Sequence, residues 1–362
     1  MARVLNFNPG PATLPLAALE RAQNEFTDYK GTGMSILEHS HRGKDYDAVH
    51  NEAIGLVREL LDVPDDYHVL FLQGGASQQF AVVPMNLLPE GKSADYILTG
   101  SWGKKAFAEA QVVGKARLAG STAEENFVRL PKQNELDLDP NAAFVHFTSN
   151  ETINGVQYID SFPETGNVPL VCDMSSDFLW RKFDIRKFGL VYAGAQKNIG
   201  PSGVTCVVVR KDLVEGARTD IPKIFRYKTQ ADANSLANTA PTFAIYMVRN
   251  VLQWVKDSGG LDQIEKWNRE KAAIVYSFLD QHKDYFKSPV HADSRSVMNI
   301  VFRLPTPELE AKLIADAAAA GFVGLKGHRS VGGIRISAYN AMPVEGVQKL
   351  VGYLADFAKN NS

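Results

Sequence analysis

The chain has 362 residues, of which 45% are hydrophobic and 22% charged, and its formal net charge at pH 7 is −2. This composition is typical of a globular protein and disfavours nucleic-acid binding, which requires a strongly basic surface. No stretch approaches the ~20 apolar residues of a membrane span, and the first residues lack the apolar core of a signal peptide. We therefore expect a cytoplasmic protein.

The first two thirds of the chain carry the pattern of an α/β protein. Residues 1–15, with prolines at positions 9, 11 and 15, are predicted to form an extended segment. Beyond it, short apolar runs alternate with amphipathic stretches, which indicates a mostly parallel sheet covered by helices on both faces. The predicted helices are 16–29, 45–61, 78–88 and 103–113, and the predicted strands are 68–72, 96–98, 143–147, 168–172, 190–193 and 204–209. Only a short turn separates the last two strands, which favours an antiparallel pair.

The last third predicts a second, smaller unit. Two long helices, 242–256 and 261–282, are interrupted by Ser258-Gly259-Gly260, which stops one helix and starts the next. Single cores stop growing near ~250–300 residues, so two domains are expected. We place a large α/β domain at 16–260 and a small α+β domain at 261–362. The small domain adds strands 298–304 and 333–338 and helices 307–320 and 344–359.

Two predicted strands end in side chains of opposite charge. Asp173 follows the run 168–172, and Lys197 closes the run that begins at residue 190. Ligands of α/β sheets bind at strand ends, so the amine and the carboxylate can face one bound molecule from different sides. This geometry suits pyridoxal phosphate, whose aldehyde needs a lysine for a Schiff base and whose ring nitrogen needs an anionic partner. Taken singly, most lysines after a strand are solvated and most aspartates there cap a turn.

A glycine-rich turn offers a place for a phosphate. Gly74-Gly75-Ala76-Ser77 separates strand 68–72 from the next helix, where backbone N–H groups and a helix N-terminus can reach the sheet edge. A Gly-Gly turn alone is more often a tight connection. The sequence contains neither a Walker A loop nor a Gly-x-Gly-x-x-Gly fingerprint, which disfavours nucleoside triphosphates and dinucleotides.

Several further positions are open to two interpretations. Trp102 follows strand 96–98 and could stack on a pyridine ring, although an indole there is more often part of the core. Thr152 could donate a hydrogen bond to the phenolic oxygen of the ring, or it could stabilise a turn. Asn238 and Thr239 precede a long helix, which they could cap, or they could supply phosphate contacts.

Histidine and arginine recur together in two glycine-flanked loops. His41-Arg42 lies near the start of the chain and His328-Arg329 near the end, with Arg335 a few residues later. Both side chains donate hydrogen bonds to phosphate or carboxylate groups. Surface His-Arg pairs are normally solvated, but two of them in a chain of slightly negative net charge suggest local anion recognition.

Three side chains of reactive type lie inside apolar runs. Cys172, Cys206 and His146 are each flanked by β-branched or aromatic residues. A thiol in such a run usually acts as a small buried hydrophobe, and a histidine there is usually part of the core. We expect neither a disulfide nor a metal site.

Four blocks of the sequence resemble the phosphoserine aminotransferases, a class-V family of fold-type I enzymes that depend on pyridoxal phosphate. The blocks are Asn6–Ala12, Glu38–Lys44, Tyr192–Pro201 and Gly327–Pro343. They occur in the order of the family, and the likeness covers essentially the whole chain. The resemblance implies a large domain with a mostly parallel seven-stranded sheet, a small C-terminal α+β domain, and a homodimer whose second subunit completes the cofactor site.

The resemblance also implies roles for individual residues. Lys197 binds the cofactor covalently, Asp173 pairs with its pyridine nitrogen, Trp102 stacks on the ring and Thr152 contacts its phenolic oxygen. The cofactor phosphate is bound by Ala76, Ser77, Gln196, Asn238 and Thr239, the last two from the second subunit.

For the substrate, the resemblance assigns the α-carboxylate to Arg335. The distal phosphate or carboxylate is assigned to His41, Arg42, His328 and Arg329. Ala76-Ser77 replaces a Gly-Arg pair of many family members, which leaves this anion site with one cation fewer. Pro9 likewise replaces a serine found in some members.

The implied reaction is reversible amino transfer from L-glutamate to 3-phosphohydroxypyruvate, which gives O-phospho-L-serine and 2-oxoglutarate in serine biosynthesis. Formation of 4-phosphohydroxy-L-threonine for vitamin B6 synthesis is a second implied activity. The alternatives are a glyoxylate-using transaminase, a desulfurase-like enzyme, and a non-catalytic carrier of the cofactor. A desulfurase needs a thiol on a mobile loop, and a carrier has no use for Arg335 beside His328-Arg329.

Overall fold

The computed structural model describes residues 3–361, in which strands and helices alternate over most of the chain. Residues 1, 2 and 362, which belong to the predicted terminal segment and small domain, lie outside the described residues. The helices are α1 Leu16–Glu25, α2 Lys44–Leu61, α3 Ala76–Leu87, α4 Ser101–Val113, α5 Lys211–Glu215, α6 Tyr227–Asp232, α7 Thr242–Asp257, α8 Gly260–Gln281, α9 Pro307–Ala319 and α10 Val344–Asn360. The strands are β1 Leu5–Asn6, β2 Tyr67–Gln73, β3 Ser93–Leu98, β4 Lys115–Ser121, β5 Val145–Thr148, β6 Asn150–Glu151, β7 Val156–Gln157, β8 Leu170–Asp173, β9 Leu190–Gly194, β10 Val204–Arg210, β11 Asn299–Phe302, β12 Phe322–Val323 and β13 Ile334–Ser337.

The large domain contains a seven-stranded sheet in the order β2-β10-β9-β8-β5-β3-β4. The pairs from β9 to β4 are parallel, and β10 is antiparallel to both β9 and β2. The predicted mostly parallel sheet and the predicted antiparallel pair are therefore both confirmed. The α/β fold class is confirmed as well.

Alternate residues of each central strand pack on opposite faces of this sheet. In β9, Val191 and Ala193 join the core beneath α2 and α7, whereas Leu190 and Tyr192 join the core beneath α3 and α4. Side chains in a strand alternate between faces, and both faces here are covered, so the sequence of such a strand is continuously apolar. This is why the central strands could be predicted.

The edge strand β4 was not predicted. Its sequence, Lys-Ala-Arg-Leu-Ala-Gly-Ser, contains no apolar run, and most of its side chains are exposed or half-buried. An edge strand pairs on one side only and is often polar, which discourages pairing with other chains. Its position was fixed by parallel pairing with β3, which sequence periodicity does not reveal.

The C-terminal unit has its own core around the antiparallel pair β11 and β13, packed by α8, α9 and α10. The N-terminal segment joins it, because β1 pairs in parallel with β12 and Phe7 is fully buried in this core. Helix α8 contributes Leu261 and Ile264 to the large core but Val275 and Phe278 to the small one. The domain division at 260/261 therefore stays a prediction, with α8 as the element that connects the two cores.

Within residues 3–361, no helix is both long enough and apolar enough to cross a bilayer.

Candidate active site

The sheet brings Lys197 and Asp173 together. Strands β8 and β9 are parallel neighbours, and Asp173, the last residue of β8, is paired with Tyr192 of β9. Lys197 follows in the turn directly after β9. Both side chains line a cavity of about 330 Å³. The prediction that an amine and a carboxylate stand at neighbouring strand ends is confirmed.

Asp173 is held by a serine that the sequence analysis did not single out. Its Oδ1 accepts hydrogen bonds from the backbone N–H (2.9 Å) and the hydroxyl (2.6 Å) of Ser175. The same hydroxyl accepts a bond from Gly194 N (3.0 Å), which ties the carboxylate to the end of β9. Burial raises the pKa of Asp173, while the charge of Lys197 and the bonds from Ser175 lower it. The Asp-x-Ser spacing is a recognisable turn signal that could have revealed Ser175.

Lys197 is enclosed by the N-terminal segment. Pro9 and Gly10 line the same cavity, and a β-carbon on Gly10 would stand 3.4 Å from Lys197 Cγ. Gly10 also has φ of 141°, in the region that favours glycine. Burial lowers the pKa of Lys197, whereas the carboxylates of Asp173 and Glu151 raise it. An amine in this environment can lose its proton more readily than an exposed lysine.

Helix α3 presents an uncapped N-terminus to the cavity. The helix begins at Ala76, two residues earlier than predicted, so Ala76 and Ser77 form its first turn and line the cavity. Its N-cap, Gly75, provides no side-chain hydrogen bond. The first amides of a helix have no partner within the helix and carry partial positive charge, so this turn can hold a phosphate. Gly74 makes the turn possible, with φ of 97°.

Trp102 and Thr152 form one wall of the cavity. Trp102 lies in the first turn of α4, and its Nε1 donates to Thr152 Oγ1 (2.9 Å). Because Thr152 accepts this bond, its own hydroxyl hydrogen remains available to a ligand. Lys197 Nζ lies 5.4 Å from the centroid of the Trp102 ring. The indole, the hydroxyl and the amine therefore surround the same space.

Glu151 fixes this wall from behind and was not predicted. Its two carboxylate oxygens accept the backbone N–H groups of Trp102 (2.9 Å) and Gly103 (2.7 Å). A β-carbon on Gly100 would stand only 2.4 Å from Glu151 Cδ, so this position requires glycine. Burial raises the pKa of Glu151 to about 7, although both amide bonds lower it. The contact joins residues about fifty positions apart, which is why no local pattern indicated it.

Arg335 reaches the cavity from the small domain. It lies in β13, is almost fully buried, and its Nη1 donates to the backbone oxygen of Thr152 (2.9 Å). Its Nε is buried and has no hydrogen-bond partner among residues 3–361. A buried guanidinium N–H without an acceptor is costly, so this group is arranged for an anionic ligand.

His328 lies beside Arg335 in the cavity lining. Its Nδ1 accepts the backbone N–H of Ser330 (3.2 Å), so in the neutral ring Nε2 carries the proton and can donate to an anion. Burial lowers the pKa of His328, and the positive charges of Arg335, Lys105 and Arg329 lower it further.

The cavity lining includes nine of the predicted site residues: Ala76, Ser77, Trp102, Thr152, Asp173, Gln196, Lys197, His328 and Arg335. It does not include His41, Arg42 or Arg329, and Arg42 and Arg329 are exposed. It also omits Asn238 and Thr239; Asn238 Nδ2 donates to Gln73 Oε1 (3.0 Å) outside the cavity. These residues were predicted to act partly from a second subunit, which a single chain does not test. No group of His, Cys, Asp and Glu within residues 3–361 is arranged to hold a metal.

A family model described as aminotransferase class-V matches residues 4–350. The chain belongs to this family. It is 54% identical over 358 residues to the phosphoserine aminotransferase of Niallia circulans, with 99% of each chain covered. The solved phosphoserine aminotransferase of Bacillus circulans subsp. alkalophilus is 53% identical, covers 99% of both chains and gives a TM-score of 0.98. Another phosphoserine aminotransferase, solved in a study of radiation damage of its Schiff base, is 48% identical with a TM-score of 0.97, covering 99% of this chain and 100% of that one.

The class-V aminotransferases use pyridoxal phosphate, and the cavity fits this cofactor. Lys197 offers an amine for the aldehyde and Asp173 an anion for the ring nitrogen, while the uncapped start of α3 can receive the phosphate. The unpartnered Nε of Arg335 leaves a further anion site for the substrate. The residues that line the cavity are therefore compatible with pyridoxal phosphate.

Proposed function

We propose that this aminotransferase transfers the amino group of L-glutamate to 3-phosphohydroxypyruvate, giving 2-oxoglutarate and O-phospho-L-serine in serine biosynthesis. The observation that carries the proposal is the convergence of Lys197, Asp173 and the unpartnered Arg335 Nε on one cavity. The high identity to phosphoserine aminotransferases over the full chain supports the choice of substrates. Formation of 4-phosphohydroxy-L-threonine is a secondary activity within the same proposal.

When bound, pyridoxal phosphate supplies an aldehyde that carries the amino group and a ring that withdraws electrons from the substrate Cα. Lys197 would hold the aldehyde through its Nζ. When it is not engaged there, this Nζ would accept the proton from the substrate Cα, which requires an unprotonated amine and is favoured by burial. Asp173, fixed by Ser175, keeps the ring nitrogen protonated.

The substrate is held at both ends by cations. Arg335 binds the α-carboxylate, because its Nε is unpartnered while its Nη1 is fixed on Thr152. His328 and Arg329 receive the distal phosphate or carboxylate. Arginine and histidine donate to either anion, which the two half-reactions require.

A homodimer is part of the proposal. Asn238 and Thr239, which were predicted to act from a second subunit, lie outside the cavity lining of their own chain, as do His41, Arg42 and Arg329, so a second copy can complete the site. Analytical ultracentrifugation tests the dimer, and fractionation of cells tests the proposed cytoplasmic location.

The rival activities have less support. A desulfurase needs an exposed reactive thiol, but Cys172 and Cys206 are buried in β8 and β10, and burial raises the pKa of both. A carrier would not need the unpartnered Arg335. A glyoxylate-using transaminase would not need cations for a distal anion.

Half-reactions test the proposal. L-glutamate is added to the purified protein with cofactor, the change in cofactor absorbance is followed, and different keto acids are then offered. We expect 3-phosphohydroxypyruvate to restore the starting spectrum. Recovery with pyruvate or glyoxylate but not with 3-phosphohydroxypyruvate would defeat the substrate assignment, and no change with any amino acid would favour the carrier.

A further inference from the structure

A cation that the sequence analysis did not consider lies beside the cavity. Lys105 follows Trp102 by three residues on α4, so the two side chains share one face of the helix. Lys105 Nζ lies 4.1 Å from the centroid of the Trp102 ring. The neighbouring Lys104 points elsewhere, with its Nζ 5.4 Å from the ring centroid of Phe127.

Lys105 lies at the edge of the cavity, over the ring of a residue that lines it. Trp102 and His328 line the same cavity, and the charge of Lys105 acts on His328 together with those of Arg335 and Arg329. Within residues 3–361, the side chain of Lys105 forms no salt bridge or hydrogen bond, although exposed lysines elsewhere in the chain pair with carboxylates. An ammonium without a carboxylate partner at the edge of a cavity is free to pair with an anionic group of a bound ligand.

We infer that Lys105 is a further specificity-determining residue, which binds the distal phosphate of the substrate and supplies a cation that the Ala76-Ser77 turn lacks. The inference rests on the proposed function, since it assumes a substrate with a distal anion. A phosphate carries more negative charge than a carboxylate, so an added cation strengthens binding of phosphorylated substrates more than binding of glutamate.

The competing explanation is that Lys105 only packs on Trp102. A lysine stem covers aromatic surface whether or not its charge meets an anion. Methionine retains an apolar stem of similar length and removes the charge, while arginine retains the charge. Lys105→Met and Lys105→Arg therefore separate packing from charge, and Lys104→Met is the matched control on the same helix.

The test is equilibrium titration of cofactor absorbance with O-phospho-L-serine, L-glutamate and L-alanine, which has no distal anion. For Lys105→Met we expect binding of O-phospho-L-serine to weaken about three- to tenfold, glutamate less, and L-alanine not at all. Lys105→Arg restores binding, and Lys104→Met matches the wild type. The salt dependence of O-phospho-L-serine binding decreases in Lys105→Met.

Two outcomes would overturn the inference. If Lys105→Met binds O-phospho-L-serine as tightly as Lys104→Met does, no charge contact exists. If Lys105→Met weakens all three ligands equally, Lys105 acts through Trp102 and the cofactor instead. The proposed function fails separately, when the wild-type protein does not convert 3-phosphohydroxypyruvate at all.

Discussion

Two regions of the cavity are built in different ways. The floor, which we define as Asp173, Ser175, Thr152, Trp102 and Glu151, is joined by hydrogen bonds among its own members and their strand ends. The rim, which we define as His41, Arg42, Lys105, His328 and Arg329, consists of exposed or half-buried basic side chains on three separate segments, and of these His328 lines the cavity of this chain.

This difference follows from what each region must bind. The floor faces a flat cofactor that stays in place, so buried groups can be fixed before it binds. Buried charges such as Asp173 are tolerated there because neighbouring donors satisfy them. In the proposed function, the rim accepts a phosphate in one half-reaction and a carboxylate in the other. Exposed basic side chains that rearrange easily meet that need. Part of the rim would act only in the proposed dimer, at the site shared with the second subunit.

The largest expected effect is at Lys197, which lies beside Trp102 and Asp173 of the floor. Lys197→Ala removes both the covalent link to the cofactor and the base that moves the α-proton, so we expect turnover to fall by at least about 10³-fold. Steady-state formation of O-phospho-L-serine measures it. Lys187→Ala, at an exposed position, is the control and should match the wild type. An unimpaired Lys197→Ala enzyme would remove the catalytic assignment.

Asp173→Asn, in the floor, should lower the activity of the protein but raise its stability. Without a carboxylate the ring nitrogen is not kept protonated, and we expect turnover to fall about 10²-fold. Burial raises the pKa of Asp173 in the folded chain, so its ionised form opposes folding at neutral pH. The cofactor-free variant should therefore unfold at a higher temperature than the cofactor-free wild type. A variant that is both fully active and less stable would contradict this account.

Substitutions of Arg335 and Arg329 compare a buried arginine with an exposed arginine of the rim. Arg335→Lys loses the guanidinium fork, so we expect KM for both L-glutamate and 3-phosphohydroxypyruvate to rise about tenfold or more. Arg329→Lys keeps an exposed charge, and its effect on KM should stay below about threefold. Equal effects at the two positions would remove the distinction between buried and exposed cations.

Glu151→Gln should have the smallest effect on turnover. It also tests how the stability of the protein depends on pH. The pKa of Glu151 is raised to about 7 from the ordinary 4.5, so its contribution to stability is fully present below about pH 4.5 and is lost as pH rises through about 7. Urea unfolding between pH 4.5 and 8 should show this loss in the wild type but not in the variant. Turnover should fall only a few-fold, through looser placement of Trp102. Parallel pH profiles would show that Glu151 does not titrate in this range.

The floor could be predicted from the sequence to the extent that strands position it. Asp173 and Lys197 end continuous apolar runs, and such runs identify strands buried on both faces. Glu151 could not be predicted, because its partners at 102 and 103 come from a different strand end. Pro9 and Gly10 reach the cavity only because β1 pairs with the small domain.

Apart from Lys105, the rim was predicted by residue type alone. Paired histidines and arginines indicated anion binding, but their placement depends on loops and on a second chain. Lys105 was missed because its helix position has no special sequence pattern. Its contact with Trp102 became visible only in the structure.

The most direct test of the account is to reduce the cofactor-loaded protein with borohydride and map the labelled peptide. The account predicts a single label on Lys197, lost in Lys197→Ala. Lys105 is the other amine close to the Trp102 ring. A label on Lys105, or on any lysine other than Lys197, would contradict the proposed site.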